Sequence, residues 1–544
     1  MKPEFHVGLY QFVFSLSQAL DLINPAMANH HRRVAYIALR VAEAMELAGR
    51  AKEDVIVAAA LHDIGALSTQ RNSGEDTLNL KLRCSRFGYQ LLQKFKPFQI
   101  PARIVRFHNV PWAWGENREV EGQEVPLGSH IVNLANIVSR LLDKSGSFAS
   151  QAQSIRDQIA QMQGQVLMPE HVQAFLHASA NDAFWLDIES PDLSQIILDR
   201  MPFSSVELNL DGLLDFAELL AQVIDFRSRF TATHSSGVAA SASTLAQLFG
   251  FPAVDCKRLL IAGYLHDIGK LAIPTELLDK NGSLNSDEWN VVRGHPYYTY
   301  RILSPIEGIE DIALWCGSHH ERLCGTGYPF RAPHEEIPLE SRILAVADVF
   351  TAVTENRPYR TGLDQASVVA IFDAMVNDHA LDANVVNVLK SHYAEVDHSR
   401  AAAQSHALQD YKDFMEGLAV LDLSAARAAH LAWKQRLRAH LDGKQPLAHE
   451  QLVDHRECDL GRWYYGEGLH YYGHLAEVRQ LEEPHAAMHE LIHALVEHQA
   501  QGRRDDAEAC LEQVEPLSRR IVELLKTIER KAAQDVTSAI DQLY

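Results

Sequence analysis

The stretch AGYLHDIG at residues 262–269 closely repeats the stretch AAALHDIG at residues 58–65. The same separation along the chain also aligns His30 with His234. Solenoid repeats have periods of about 20–50 residues, and this separation is far longer. The sequence therefore predicts two copies of one domain in tandem, the first around residue 60 and the second around residue 265.

Apolar residues recur at helical spacing through much of the chain, for example over residues 34–47, and no run of alternating strands stands out. The sequence therefore predicts an all-α fold. The helical pattern is interrupted at residues 201–205, and the composition turns small and polar at residues 396–406. These breaks predict three domains, at residues 1–205, 206–400 and 401–544.

The charge balance excludes some classes of function. The 544 residues include 71 acidic and 50 basic ones, for a net charge of −21, which disfavours binding to polymeric nucleic acid. A small anionic substrate remains compatible if metal ions and a few local cations supply positive charge. The six cysteines form no CxxC pair, which favours a reducing compartment. Residues 7–23 read as an amphipathic helix, so we expect a cytoplasmic protein without membrane insertion.

Histidine is abundant, with 28 in the chain, and the second copy concentrates it with carboxylates. Five imidazoles and two acids are too many for one tetrahedral zinc ion and suit two metal ions that share a bridging carboxylate. Such a pair can activate water and polarise a phosphodiester. Lys270 follows His266 at i,i+4, so a continuous helix would place its ammonium on the same face, beside a phosphoryl oxygen.

Three motifs of the second copy carry a family resemblance: HDIGK at residues 266–270, HHE at 319–321 and GTGYP at 325–329. Over roughly residues 212–395 the chain resembles the HD-GYP family of cyclic dinucleotide phosphodiesterases. The resemblance implies a helical HD-type domain that hydrolyses cyclic di-GMP to the linear dinucleotide, and in some members on to GMP. It also implies a centre of two or three iron or manganese ions.

The family's functional residues carry over onto matching positions. The implied metal ligands are His234, His266, Asp267 as the bridge, His295, His319, His320 and Asp348. The implied catalytic residues are Asp267 and Lys270. The implied substrate contacts are Lys270, Gly325, Gly327, Tyr328 and Pro329.

Three positions depart from the family pattern. Cys324 and Thr351 stand where the family usually has Asp, and Phe230 stands where members with three ions have Glu. Phe230 favours a centre of two ions, and the other two leave the substrate open. The alternatives are a phosphodiesterase for 3′,3′-cyclic GMP-AMP and a non-catalytic adaptor that responds to a dinucleotide or to zinc. A homodimer is also left open.

The first copy reads as degenerate. It keeps His30, His62, Asp63 and His108, but has Ala66, Cys84, Asn109 and Asn136 where the second copy has Lys270, His295, His320 and Asp348. Neutral amides donate less charge to a dication than carboxylates do. We therefore predict no catalysis in this copy, which would serve a structural or regulatory role or hold a single weakly bound metal ion.

The last segment has a second metal signature, in HRECDLGRW at residues 455–463 and EPHAAMH at 483–489. The alternative is that these histidines decorate a polar helix face. The segment resembles the chemoreceptor zinc-binding domain, a helical bundle that binds one zinc ion. The implied ligands are His430, Cys458, His485 and His489. Zinc occupancy or oxidation of Cys458 would then regulate the phosphodiesterase.

Overall fold

The computed structural model describes most of the chain. The described residues are 6–22, 29–68, 77–113, 118–120, 123–143, 146–201, 207–225, 233–278, 280, 282–355, 362–418, 436–442, 447, 454–473 and 475–543. They are mainly helical, with four strands of two residues each, so the predicted all-α fold is confirmed. They divide into two compact units, one within residues 6–68 and 80–411 and one formed by residues 77–79 and 412–543.

The helices of the first copy are α1 Leu9–Leu22, α2 His30–Ala44, α3 Gly49–Leu61, α4 Thr77–Leu92, α5 Gln99–Phe107, α6 Leu127–Leu141, α7 Phe148–Gln161, α8 Pro169–Ala178, α9 Asp182–Glu189 and α10 Leu193–Arg200. Short 3-10 turns cover Ile64–Ser68 and Lys96–Phe98. The helix predicted over residues 34–47 runs from His30 to Ala44, and its polar residues His30, His31 and Arg33 in the first turn are buried.

The helices of the second copy are α11 Leu210–Asp225, α12 His234–Leu248, α13 Ala253–Leu265, α14 Thr275–Leu278, α15 Ser286–Val292, α16 His295–Leu303, α17 Glu310–Gly317, α18 Leu339–Thr354, α19 Gln365–Asn377, α20 Ala383–Ser391 and α21 Tyr393–Leu418. The 3-10 turns are Ile268–Ala272 and His334–Glu336. The predicted limit at residue 400 falls inside α21. The domain limits otherwise stay predictions.

Both copies use the same packing. In the first, α2 lies against α3 and α6, and in the second, α12 lies against α13 and α18. The buried faces of these helices are built from Ala, Val, Ile and Leu, which fill the core at helical spacing. In the first copy this arrangement puts the end of α3 beside the start of α2. In the second copy it puts the end of α13 beside the start of α12. In both copies this is where the His-Asp pair lies.

Equivalent elements join the two copies. The four strands are β1 Val7–Gly8, β2 Glu119–Val120, β3 Gln123–Glu124 and β4 Glu207–Leu208. Strand β1 pairs antiparallel with β4, and β2 pairs antiparallel with β3. Helix α1, which follows β1, and helix α11, which follows β4, then bury Phe12 against Phe216, with ring centroids 5.3 Å apart. Antiparallel pairing of equivalent strands is the arrangement that a two-fold relation between the copies generates.

The second unit contains a helical hairpin. Its helices Glu482–Ala500 and Arg504–Leu543 pack lengthwise, and a buried cluster of leucine, isoleucine and valine fills the space between them and the shorter preceding elements. Those elements are residues 436–441, Asp459–Trp463, the π-helical turn Tyr464–Gly468, Leu469–Tyr472 and Ala476–Arg479. Among the described helices, none combines the length and the apolar character needed to cross a membrane.

Candidate metal centre

The His-Asp pair of the second copy sits where helix α13 ends and a 3-10 turn begins. Gly269 lies in this turn, and a Cβ atom there would fall 1.9 Å from the carbonyl oxygen of His295. Only glycine therefore lets the turn approach the start of α16 this closely. The close approach brings His266 and Asp267 next to His295, whose Nε2 lies 3.3 Å from Asp267 Oδ1.

Three histidines of the site are held in one tautomer by the main chain. Nδ1 of His266, His295 and His319 donates to the carbonyl oxygen three residues earlier, at 2.7, 2.8 and 2.6 Å respectively. With the proton on Nδ1, the lone pair lies on Nε2. Metal-ligating histidines are commonly oriented by such a contact on the other ring nitrogen.

The Nε2 atoms face other electron-rich atoms. His266 Nε2 lies 3.2 Å from Asp267 Oδ2, and His295 Nε2 lies 3.4 Å from His319 Nε2. His266 Nε2 is buried and has no hydrogen-bond partner among the described residues. Lone pairs directed at one another and at a carboxylate in a buried pocket repel unless a cation lies between them, so these residues fit bound metal ions.

A second group of ligand atoms adjoins the first. His234 Nε2 lies 3.2 Å from Asp348 Oδ1, and His320 Nδ1 lies 3.8 Å from Asp348 Oδ2. The potential ligand atoms lie within 4.8 Å of one another in three overlapping sets: His234, His266 and Asp348; His266, Asp267 and His319; and His295, His319 and His320. The structure thus brings all seven residues of the predicted ligand set together.

The protonation states suit metal binding. Burial alone would raise the pKa of Asp267, but the charges of His266 and Lys270 hold it well below its usual range. Burial lowers the pKa of His295 to about 3. Burial likewise disfavours charge on His234, yet the carboxylates of Glu355 and Asp348 raise its pKa to about 10. The site therefore combines ionised acids with imidazoles, and a proton on His234 would have to leave when a metal ion binds.

Lys270 reaches the site by a different geometry from the one predicted. Helix α13 ends at Leu265, and Lys270 lies in the 3-10 turn Ile268–Ala272, so the predicted i,i+4 helical relation to His266 is wrong. The turn instead directs the Lys270 ammonium to the Asp267 carboxylate. The charge of that carboxylate keeps the pKa of Lys270 raised despite burial, so the side chain is cationic.

The C-terminal end of the glycine-rich loop is attached to the segment that carries His320 and Glu321. Gly325 has φ 73°, a left-handed conformation that glycine adopts without strain. The Tyr328 amide donates to the His320 carbonyl at 3.2 Å, and the two rings lie 4.9 Å apart. After Pro329, the carboxylate of Glu321 accepts hydrogen bonds from the amides of residues 330–332. The predicted contact loop Gly325–Pro329 therefore lies beside the ligand set.

Comparison with known proteins agrees with this geometry. Profiles described as HD domain match residues 218–385 and 27–141, and the profile of the chemoreceptor zinc-binding domain matches residues 430–496. The 3′3′-cGAMP-specific phosphodiesterase 1 of Vibrio cholerae is 31% identical over 400 residues, which cover 71% of this chain and 92% of that protein. The chain belongs to the HD-GYP family of cyclic dinucleotide phosphodiesterases.

Two further relatives of this HD-GYP chain cover different parts of it. A cyclic di-GMP phosphodiesterase of Pseudomonas aeruginosa is 39% identical over 141 residues, 26% of this chain and 34% of that protein. The crystal structure of a cyclic GMP-AMP specific phosphodiesterase of Vibrio cholerae superposes with a TM-score of 0.53 at 21% identity, over 72% of this chain and 98% of that one. That superposition supports the fold.

The positions that depart from the HD-GYP pattern lie in different surroundings. Cys324 is exposed, and its thiol lies 3.0 Å from the Thr326 hydroxyl at the head of the loop. Thr351 is fully buried in α18, one turn after Asp348. Phe230 lies outside the described residues. Neither Cys324 nor Thr351 replaces one of the seven ligands.

Sequence reasoning missed residues that support the ligands without binding metal. Glu355 Oε2 lies 3.2 Å from Nδ1 of His234 and also accepts from the Gln404 side chain of α21 at 3.3 Å. Thr299 bridges the amide of Gly269 and the carbonyl of His266 through its hydroxyl. The only signal for Glu355 was its place two helical turns after Asp348, and nothing in the sequence pointed to Gln404 or Thr299.

The zinc-binding segment also brings its predicted ligands together. His485 and His489 lie one turn apart on the helix Glu482–Ala500, with ring centroids 5.0 Å apart. Cys458 Sγ lies 3.2 Å from His485 Nε2 and accepts the amide hydrogen of Gly461. The three ligand atoms lie within 4.8 Å of one another, close to the spacing of a tetrahedral zinc site. The fourth predicted ligand, His430, lies outside the described residues.

Proposed function

We propose that the second copy hydrolyses a 3′,3′-cyclic dinucleotide with two bound iron or manganese ions. The proposed ligands are His234, His266, Asp267, His295, His319, His320 and Asp348. One observation carries the proposal: buried imidazole lone pairs and carboxylate oxygens converge with no proton between His295 Nε2 and His319 Nε2. Asp267 is the proposed bridge, since its Oδ2 lies 3.2 Å from His266 Nε2 and its Oδ1 lies 3.3 Å from His295 Nε2.

Different residues of the chain have different roles around the phosphodiester. When bound, the two ions supply an activated water molecule and stabilise negative charge on the phosphoryl group. The Lys270 ammonium, partly exposed beside Asp267, neutralises a phosphoryl oxygen as charge develops on it. Glu355 holds the His234 ring in orientation through Nδ1.

The loop at Gly325–Pro329 forms the proposed contact surface for the dinucleotide. Gly325 adopts a left-handed conformation, Gly327 packs against the main chain of Glu321 and Arg322, and Pro329 ends the loop. Tyr328 lies between the His320 ring and the Arg293 guanidinium, which is 4.9 Å from the Tyr328 ring centroid. Arg293 therefore adds a local cation for an anionic ligand, although the whole chain is acidic.

The substrate is proposed from two candidates. The expectation from the motifs is cyclic di-GMP, and two relatives that match over 141 and 143 residues are named as cyclic di-GMP phosphodiesterases. The Vibrio cholerae relative whose match covers 71% of this chain is named for 3′3′-cGAMP, and a match of that length must extend beyond the catalytic copy. That coverage favours 3′,3′-cyclic GMP-AMP as the second candidate.

The test is a product assay on protein purified without oxygen and loaded with iron or manganese. Both dinucleotides are supplied separately, and the linear product and GMP are separated by chromatography. We expect one substrate to give a linear product, and His266→Ala to abolish it. Binding of a dinucleotide without any product in the metal-loaded wild type would instead support a non-catalytic adaptor.

For the C-terminal segment we propose one zinc ion held by Cys458, His485, His489 and His430. The helix that begins after Cys458 donates an amide to its thiol sulfur, which favours the thiolate that zinc requires. Zinc occupancy, or oxidation of this thiolate, is the proposed input that changes the rate of hydrolysis. The free state of all six cysteines is consistent with the proposed cytoplasmic location. A homodimer is a further proposal that an oligomeric-state measurement decides.

Zinc regulation is tested by varying zinc while the catalytic ions are held in excess. Manganese-loaded wild type and Cys458→Ala are titrated with zinc and with a zinc-selective chelator, and the hydrolysis rate is followed. We expect the wild-type rate to change with zinc occupancy and the variant rate to stay constant. Identical, flat responses in both proteins would remove the regulatory proposal and leave a structural zinc site.

A further inference from the structure

We infer that the first copy is a metal site in its own right, which binds one divalent first-row transition ion through His30 Nε2, His62 Nε2 and a carboxylate oxygen of Asp63. The potential ligand atoms of these three residues lie within 4.8 Å of one another. Both histidines are almost completely buried. The inference concerns binding only, and it stands whether or not the second copy is catalytic.

The two histidines present their lone pairs to the same point. His62 Nδ1 donates to the Ala59 carbonyl at 2.9 Å, the contact that orients the histidines of the second copy. His30 Nδ1 lies 2.9 Å from the Ser139 hydroxyl, which can accept its proton. His62 therefore carries its lone pair on Nε2, and so does His30 when its Nδ1 donates to Ser139; the two ring centroids are 5.3 Å apart.

The Nε2 atoms are buried without a protein partner. Neither His30 Nε2 nor His62 Nε2 has a hydrogen-bond partner among the described residues. His62 Nε2 instead lies 3.3 Å from Asp63 Oδ2, with both atoms carrying lone pairs. A buried, unpaired acceptor costs about 1–3 kcal/mol, and here two converge on a carboxylate. A cation between these three atoms removes that cost.

The site has room in its ligand set for one ion, not two. Arg140 Nη2 lies 3.6 Å from Asp63 Oδ2, the oxygen that also faces His62 Nε2, and Arg140 Nε donates to the side chain of Asn136, which stands where the second copy has Asp348. His108 Nε2 accepts a hydrogen from Asn109 at 3.0 Å, so its lone pair is already used. The residues that would hold a second ion therefore bind one another.

The donor set defines the class of ion. Two imidazoles and one carboxylate are the ligands of non-haem iron sites and of many zinc sites, and such sets leave coordination positions open for water. Calcium and magnesium prefer oxygen donors and do not match two imidazoles. An ion here would tie the start of α2 to the end of α3, since His30 opens the first and His62 closes the second.

The test uses the full chain with its two other centres disabled. The background protein carries His266→Gln, His319→Gln and Cys458→Ser, and cobalt(II) is the probe. Cobalt per chain is measured by elemental analysis after equilibrium dialysis, and the midpoint of thermal unfolding is measured with and without cobalt. We expect adding His62→Gln to lower the bound cobalt by about one ion per chain and to remove a cobalt-dependent rise in the midpoint.

The matched control is His171→Gln. His171 is fully buried and both of its ring nitrogens lack partners among the described residues, but it belongs to no cluster of ligand atoms. We expect His171→Gln to leave bound cobalt unchanged. Asp63→Asn serves as a second variant should His62→Gln fail to fold, and it should lose the same ion. A background protein without a cobalt-dependent midpoint, or equal cobalt in the background and Asp63→Asn proteins, would overturn the inference.

Discussion

The two copies differ most in the cation that faces the aspartate of the His-Asp pair. In the second copy Lys270 reaches Asp267 from the next turn of the same segment. In the first copy that position is Ala66, and Arg140 approaches Asp63 from helix α6 instead. Both cations lie beside Oδ2, the oxygen that faces the histidine of the pair, but Arg140 also binds Asn136, which stands where the second copy has Asp348.

The scaffold has changed far less than the site. Gly65 and Gly269 make the same close approach, because a Cβ atom at either would fall 1.9 Å from the carbonyl oxygen of Cys84 or His295. The side chains of those two partners differ, an imidazole proposed as a metal ligand in the second copy and a thiol in the first, while their main chains keep the same contact. Packing constraints and site chemistry are therefore separable within this fold.

The largest expected effect is a difference in kcat between substitution of Asp267 and substitution of Asp63. Asp267→Asn should lower kcat by a factor on the order of 10³ or more, because it removes the charge of the proposed bridging ligand. Asp63→Asn should leave kcat within about twofold, since the two sites share no ligand. Metal content and steady-state kinetics of both variants check this pair.

An active Asp267→Asn protein would contradict the proposed centre. A comparable loss of kcat in both variants, with both proteins folded and the metal of the second copy retained, would show that the first copy takes part in catalysis. The contrast between the copies would then have to be abandoned.

The next effect tests the shared packing. Gly65→Ala and Gly269→Ala should each destabilise the protein by about 3 kcal/mol, because the added methyl group collides with a main-chain carbonyl. Thermal unfolding measures both. Only Gly269→Ala should also reduce activity at a temperature where both proteins are folded, since its turn positions Asp267. Equal stability of either variant and the wild type would disprove the packing argument.

Much of the fold and of the candidate site could be predicted from the sequence, and the reasons differ from residue to residue. His266, Asp267 and the other ligands stand in motifs with fixed spacing, so the residues that the fold brings together were predicted correctly. The geometry of Lys270 was not predicted correctly, because helix α13 ends at Leu265, just before His266 and Asp267, and a 3-10 turn follows. Arg140 and Glu355 were missed because their partners are set by helix packing, which local sequence does not encode.

A smaller effect is expected for the residue that orients His234. Glu355→Gln should weaken metal affinity or kcat by about 10–100-fold, the usual cost of losing the carboxylate behind a ligating histidine. The matched control is Glu336→Gln on the exposed 3-10 turn, which should change neither. Metal titration and kinetics of the two variants measure this. Unchanged affinity in Glu355→Gln would limit Glu355 to a structural role.

The smallest effect concerns an exposed tryptophan beside the loop of the second copy. Trp289 is 45% exposed and meets Tyr328 edge to face, with ring centroids 6.3 Å apart, so it offers a stacking face to a purine base beside the loop. Stacking of one base on an aromatic side chain contributes about 1–3 kcal/mol, so Trp289→Ala should raise KM about tenfold with little change in kcat. Tyr297 is equally exposed on α16 and provides the control, because Tyr297→Ala removes an aromatic ring that stacks on Tyr298 instead of on the loop. If Trp289→Ala lowered kcat at constant KM, the role of Trp289 would be to position the loop. The base would then have no assigned contact.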